Sequence, residues 1–212
     1  MGREPGPRAP GALVARHPRA RDSLGIDRKE RYIRSMHRPK ALISACLLGR
    51  RCRYDGQVLP STEQPSLPLL NEVDLVAVCP EEAGGLPTPR PPACCVGGDG
   101  HAVLSGEGSV RNVEDVADKT AEFRRGAQVA LKLAQENNCV FALLKAHSPS
   151  CGIAQTYQRR DIHSEQALLP GQGVTAALLQ REGIPLFSEA DIHLREEELR
   201  ARLFPSAADD AS

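Results

Sequence analysis

Tryptophan is absent from these 212 residues, and aromatic side chains together make up only 3%. A platform for single-stranded nucleic acid stacks bases on aromatic faces, so that function has few residues to use. Charge bias is missing as well. Lys plus Arg and Asp plus Glu number 27 each, leaving no net charge with neutral histidines. Neither nucleic acid nor a membrane surface is therefore expected as the main partner. No apolar run approaches the ~20 residues of a membrane span. The N-terminus lacks the apolar core and small-residue cleavage site of a secretory signal. A soluble, cytoplasmic protein is expected.

Cysteine is plentiful instead. Seven cysteines, an odd number, do not read as the disulfide framework of a secreted protein. In a reducing compartment such thiols serve metal binding or catalysis more often than cross-linking. The length suits one well-buried domain, perhaps with a tail.

Residues 1–38 are rich in Arg, Pro and Gly without sustained apolar periodicity. They read as a disordered extension, with Met36 a natural start just before the first strand. Residues 39–205 read as the folded, catalytic domain and 206–212 as a flexible tail. Strands are expected over 41–48, 73–78, 139–144 and 184–188. The second of these is almost continuously apolar, as a strand buried on both faces should be. Between them, a short helix is expected over 66–72 and the main helix over 112–137, where Val113, Val116, Ala117, Phe123, Ala127, Ala130, Leu131 and Ala134 recur at helical spacing. Helices are also expected over 173–181 and 192–203. The segment 79–92 carries too much Pro and Gly for a regular element and reads as a long, functional loop. Strands alternating with helices specify an α/β fold, a single Rossmann-like, mostly parallel open sheet with flanking helices.

Three of the seven cysteines stand where apolar, strand-like runs stop: Cys46, Cys79 and Cys151. Parallel strands of one sheet end at the same edge, which is where ligands bind in such folds. Three thiolates meeting there can hold a soft metal and leave one coordination position open, the mark of a catalytic rather than a structural site. The spacing matches neither zinc ribbons nor bacterial ferredoxins. Free cysteine is also among the most buried residue types. From the residues alone, metal ligand and small hydrophobe stand level for these three. Cys139, inside an apolar run, reads as core. Cys52, between Arg51 and Arg53, and the Cys94-Cys95 pair read as loop residues, with a reactive thiol as the minority alternative.

The motifs around the three cysteines form a recognisable set. Ser44-Ala45-Cys46-Leu47-Leu48-Gly49 is followed by Arg53-Tyr54-Asp55-Gly56. Next come Cys79-Pro80-Glu81 and the stretch from Gly84-Gly85 to Pro91-Pro92. Ser148-Pro149-Ser150-Cys151-Gly152 lies downstream. With Gly97-Gly98-Asp99-Gly100 and Gly173-Val174-Thr175-Ala176-Ala177-Leu178-Leu179, this set closely resembles the domain of unknown function 523 family, whose characterised members are thiouracil desulfidases. The resemblance covers roughly residues 39–189. It implies that Cys46, Cys79 and Cys151 hold a [4Fe-4S] cluster whose fourth iron has no protein ligand and is open to a substrate's sulfur. It further implies a non-redox desulfuration, in which water attacks the ring carbon of a small thiolated base and yields the oxo product and hydrogen sulfide. Glu81 is the first candidate for the acid or base, and Ser148 for hydrogen bonding or proton transfer. Ser150, Asp55 and Lys145 are weaker candidates. Each has a plain structural role open to it: a solvated charge for Glu81, a cap for the serines, a turn for Asp55.

The chain departs from the family pattern near the proposed site. Cys94 stands where an acidic residue is usual, His147 where arginine is common, and Tyr157 to His163 replaces a Tyr-Asp-Gly-centred stretch. The alternative reading is a non-catalytic zinc or iron–sulfur binding module, in which His147 joins the three cysteines to close a tetrahedral site. Another is a thiol-disulfide or interaction protein built on Cys52 or Cys94-Cys95.

Overall fold

The computed structural model describes residues 38–65 and 68–203. The N-terminal extension, the proposed start at Met36, the first two positions of the 66–72 helix and the C-terminal tail lie outside the described residues.

The centre of the fold is a four-stranded, all-parallel sheet in the order β2-β1-β5-β8, formed by β1 (Lys40–Ser44), β2 (Asp74–Val78), β5 (Cys139–Leu144) and β8 (Leu186–Ser188). Side chains alternate across β1, as the two-residue period of a strand requires. Ala41 and Ile43 join Phe141, Leu143 and Phe187 on one face, covered by Leu199 and Leu203 of α5 (Glu196–Leu203). On the other face Leu42 packs with Ala142 and Leu144. It is covered by Ala130 and Ala134 of α3 (Thr120–Glu136) and by Ala176 and Leu179 of α4 (Val174–Arg181). Helices on both faces of a parallel sheet give the expected α/β fold.

A second four-stranded sheet, in the order β4-β3-β6-β7, was not anticipated from the sequence. It contains β3 (Ala93–Val96), β4 (Ser109–Asn112), β6 (Gln155–Arg159) and β7 (Ala167–Pro170). Only β3 and β6 run parallel. The small helix α2 (Gly100–Ser105) joins β3 to β4. Val103, Val110, Phe123, Val174 and Leu178 form the core beneath this sheet.

Several expected boundaries shift. The first strand ends at Ser44, and Ala45–Leu48, expected to continue it, instead form a 3-10 turn. The main helix starts at Thr120 rather than 112, because Ser109–Asn112 pairs with β3 and Val116 takes a left-handed φ of 56° in the following turn. The 79–92 segment is not wholly irregular, for Pro80–Ala83 make one helical turn, α1. Cys94 and Cys95 are fully buried in strand β3 rather than exposed in a loop. No helix among the described residues is long and apolar enough to cross a membrane.

Candidate active site

The chain runs from β1 to β2 on one side and then crosses to β5 on the other side of β1. Connections therefore diverge above the carboxyl ends of β1 and β5, which opens a crevice at this switch point. Ser44, the last residue of β1, pins the two ends together: its Oγ accepts a hydrogen bond from the Lys145 amide at 3.0 Å. A cavity of about 380 Å³ lies at this edge, within the usual range for small-molecule sites.

All three predicted ligands line it. Cys46 sits in the 3-10 turn after β1. Cys79 caps α1 directly after β2, and Cys151 lies in the turn after β5. Cys46 and Cys79 are half-buried, Cys151 is buried, and all are free thiols.

Close backbone contacts hold these turns in place. At Gly126, in the middle of α3, a Cβ would lie 1.9 Å from the Pro80 carbonyl oxygen. Only glycine lets α1, and with it the Cys79-Pro80-Glu81 segment, approach α3 so closely. The Cys151 turn is fixed by the start of α4. The amides of Val174 and Thr175 donate to the carbonyls of Pro149 and Ser150, each at 2.9 Å. These are helix N-terminal donors that would otherwise lack partners.

A fourth cysteine joins the site. Cys52, read from sequence as a loop residue, is 2% exposed and lines the same cavity. The thiol of Cys46 raises its pKa to about 11, an effect reinforced by burial and partly offset by a hydrogen bond with Cys79. Cys79 is pushed upward strongly, first by its hydrogen bond with Cys52 and then by burial. Burial pushes Cys151 up to about 12, against the hydrogen bonds of Ser44 and Ser150. Crowded, buried thiols of this kind become thiolates when a metal supplies the positive charge. The sulfurs of Cys52 and Cys79 and a carboxylate oxygen of Glu82 also lie within 4.8 Å of one another. No local signal marked Cys52, whose thiol meets Cys79 and whose carbonyl meets Arg90, both remote in sequence.

Glu81 lines the cavity, but it is not a solvated loop charge. Its Oε2 accepts a hydrogen bond from Arg90 Nε at 2.7 Å, and the two side chains are only 14% and 5% exposed. Arg90 also donates to the Cys52 carbonyl at 3.0 Å, so one guanidinium ties the Cys79 segment to the Cys52 segment. Ser148 lines the cavity while its Oγ accepts the Ser150 and Cys151 amides, both at 3.1 Å. These contacts give Ser148 a structural role, and its hydroxyl proton finds no acceptor among the described residues. Ser150 turns away to Thr175 at 2.9 Å and does not line the cavity. Asp55 is also off the cavity wall, paired with Arg53 at 3.0 Å, a contact that holds its carboxyl below the usual range. Lys145 lines the wall with its ammonium committed to Glu189. His147 is another lining residue, and Cys94, Cys95 and Cys139 are not.

The family model for 2-thiouracil desulfurase matches residues 41–191, a span that takes in every cavity cysteine. The chain belongs to the 2-thiouracil desulfurase family. An uncharacterized protein of Bacillus subtilis (strain 168), YbbK, is 37% identical over 152 residues, covering 72% of this chain and 97% of its own length. A solved structure, described as the [4Fe-4S]-dependent thiouracil desulfidase TudS, is 40% identical. It matches with a TM-score of 0.60 over 76% of this chain and 97% of its own. The desulfurase match spans the motifs that singled out Cys46, Cys79 and Cys151.

Proposed function

We propose that this chain is an iron–sulfur enzyme that removes sulfur from a small thiolated compound, a thiouracil-like base, to give the oxo product and hydrogen sulfide. Residues 39–205 form its catalytic domain in this reading. The observation that carries it is the convergence of three thiols, from the carboxyl ends of three neighbouring parallel strands, on one substrate-sized cavity in a member of this family. Soft thiolate donors suit an iron–sulfur centre. Cys46, Cys79 and Cys151 would hold the [4Fe-4S] cluster. When bound, it supplies a Lewis-acidic iron with an affinity for sulfur.

The protein's own groups provide the rest. Glu81, with Oε2 held by Arg90, keeps Oε1 for the proton of the attacking water. The Ser148 hydroxyl, its oxygen anchored by two backbone amides, donates its proton toward the base. Tyr54 and Tyr157, both on the cavity wall, offer apolar faces to a flat ring. Water replaces sulfur at carbon, so the conversion needs no net electron transfer. A reducing cytoplasm suits a site built from free thiols, and a cavity of this size suits a small molecule rather than nucleic acid.

The test is anaerobic cluster reconstitution followed by sulfide-release assays on 2-thiouracil and related thiobases. A brown protein that releases sulfide supports the reading, and a brown protein that releases none from any of them defeats it. The Cys52, Cys79 and Glu82 arrangement favours a zinc-holding module as the second reading, with a ligand set different from the His147-closed site expected. A colourless, zinc-loaded protein after anaerobic purification would select it.

A further inference from the structure

Glu81 and Glu82 are neighbours in α1 with different surroundings. Arg90 pairs with Glu81, whereas Glu82 has no Lys, Arg or His within ion-pair distance among the described residues. Its side-chain partner there is Thr88, whose hydroxyl donates to Oε1 at 2.7 Å. Glu82 is half-buried and does not line the cavity, so the desulfuration leaves it unused. What stands beside it is sulfur. A carboxylate oxygen of Glu82, Cys52 Sγ and Cys79 Sγ all lie within 4.8 Å of one another.

Two thiols and a carboxylate are a donor set for zinc or a similar divalent cation. Tetrahedral zinc with ordinary bond lengths holds such donors about 3.5–3.8 Å apart, so closing this trio on one ion takes side-chain movements of about 1 Å. Contacts from outside already orient it. Thr88 fixes the carboxylate, Arg90 Nη2 donates to the Cys52 carbonyl at 3.0 Å, and the Cys79 thiol lies 3.5 Å from that same carbonyl. Outer hydrogen bonds of this kind hold metal ligands in place. Thiolates and a carboxylate gathered without a cation repel one another, and a divalent ion removes that repulsion. Cys46 and Cys151 do not belong to the trio, so Cys79 alone is common to it and to the set that would hold the cluster.

Resting on the cluster-binding reading, we propose that Cys52, Cys79 and Glu82 form a second metal site in the cluster-free protein, which takes one zinc-like divalent cation with water in the fourth position. Binding releases the two thiol protons. Cys79 cannot serve both sites, so cation and cluster exclude each other. The protein then exchanges a colourless zinc form for a brown cluster form, which a zinc-holding module without a cluster cannot do.

The experiment is anaerobic titration of the reduced, cluster-free protein with zinc against a chromophoric chelator, with cobalt as the spectroscopic probe. Wild type should bind one equivalent, and its cobalt form should show thiolate-to-metal charge transfer. Cys52→Ser and Glu82→Gln should each weaken zinc binding by about a hundredfold or more, since loss of an outer partner alone costs about 10–100-fold. Cys151→Ser, which removes a cluster ligand outside the trio, should leave it unchanged. Zinc-loaded wild type should take up no iron during reconstitution until a chelator removes the zinc, whereas Cys52→Ser should form the brown cluster in the same zinc. Wild-type zinc affinity in Glu82→Gln, an equal loss in Cys151→Ser, or unhindered iron uptake by the zinc-loaded wild type overturns the proposal. If Cys52→Ser does not fold, Glu82→Gln and the wild-type competition decide. No readout here involves a thiobase. Failure of the zinc site therefore leaves sulfide release from 2-thiouracil intact, and a brown protein that frees no sulfide defeats the desulfidase reading while the competition still decides this one.

Discussion

Replacing Arg90 should be among the most damaging single changes near the cavity. Its guanidinium makes four hydrogen bonds: to Glu81 at 2.7 Å, the Cys52 carbonyl at 3.0 Å, and the Pro87 carbonyl and Thr88 hydroxyl, each at 3.1 Å. Arg90→Met removes all four and strands the mostly buried Glu81 carboxylate without its cation. Breaking a buried pair from one side costs about 3–5 kcal/mol, and the solvent still reaching Glu81 favours the lower end, about 3 kcal/mol. Glu81→Gln keeps an acceptor for the arginine and should cost about 1–2 kcal/mol. In Arg90→Met/Glu81→Gln no charge is left uncompensated, so the double change should cost about 2–3 kcal/mol rather than the sum of the singles. The assay is urea unfolding of the cluster-free, reduced protein, since a group that binds only the native state would add its own stability. Equal m-values across the four proteins license the comparison. Additivity of the two changes within about 0.5 kcal/mol would refute the reasoning that Arg90 holds the Glu81 carboxylate in place.

Further outcomes follow from the same contacts. Cys46→Ser, Cys79→Ser and Cys151→Ser should each abolish the brown chromophore after reconstitution, whereas Cys139→Ser, off the cavity wall, should keep both colour and activity; visible absorbance and iron content check this. Glu81→Gln should retain the cluster but lower kcat by about 10²–10⁴, as loss of a general acid or base does. Gly126→Ala places a Cβ 1.9 Å from the Pro80 carbonyl oxygen. The forced shift of α1 should cost about 1–3 kcal/mol despite the better helix propensity of alanine, and should reduce iron content by moving Cys79. The Asp55 carboxyl is held low, chiefly by Arg53. That pair stabilises the protein above the unfolded value of about pH 4, and the gain is lost as pH falls through the folded value. Asp55→Asn should therefore be less stable by about 0.5–1 kcal/mol at neutral pH, with the gap closing in acid, as measured by urea midpoints.

The parts of the fold that were readable from sequence are those whose burial is repeated along the chain. β1 and β5 lie inside the parallel sheet, and their near-continuous apolar runs reflect packing on both faces; β2, expected from its apolar run to be buried on both faces, is instead an edge strand with Asp74 exposed and Leu75, Val76 and Ala77 only half-buried. The second sheet left no such mark. Its strands are short, two of them are polar, Ser109–Asn112 and Gln155–Arg159, and β3 finds β6 only across a long stretch of chain. Val113, Val116 and Ala117 imitate the spacing of a helix, yet they form a turn in which Asp115 Oδ1 accepts the Ala117 amide at 3.0 Å. The Asp carboxylate offers the backbone an alternative to the helical hydrogen bond, and the turn takes it.

The same distinction separates the cysteines. Cys46, Cys79 and Cys151 were legible because each follows the end of a strand, Cys151 after an intervening turn, and because each stands in a motif that resembles the family; strand-end position alone left ligand and small hydrophobe level. Cys52 closes nothing. Its burial comes from the thiols of Cys46 and Cys79 and from the Arg90 guanidinium on its carbonyl, contacts assembled only when β1, β2 and the 79–92 segment meet. Glu81 follows this logic in part: its place beside Cys79 makes it the first candidate for the acid or base, with a solvated charge as the plainer role open to it, and only the packing of Arg90 shows it as an oriented carboxylate. Strand ends therefore set where the thiols stand, and the long loop sets what chemistry stands beside them. It follows that changes at Arg90 should disturb Glu81 and Cys52 together, while changes confined to the sheet faces should alter stability before they alter the site.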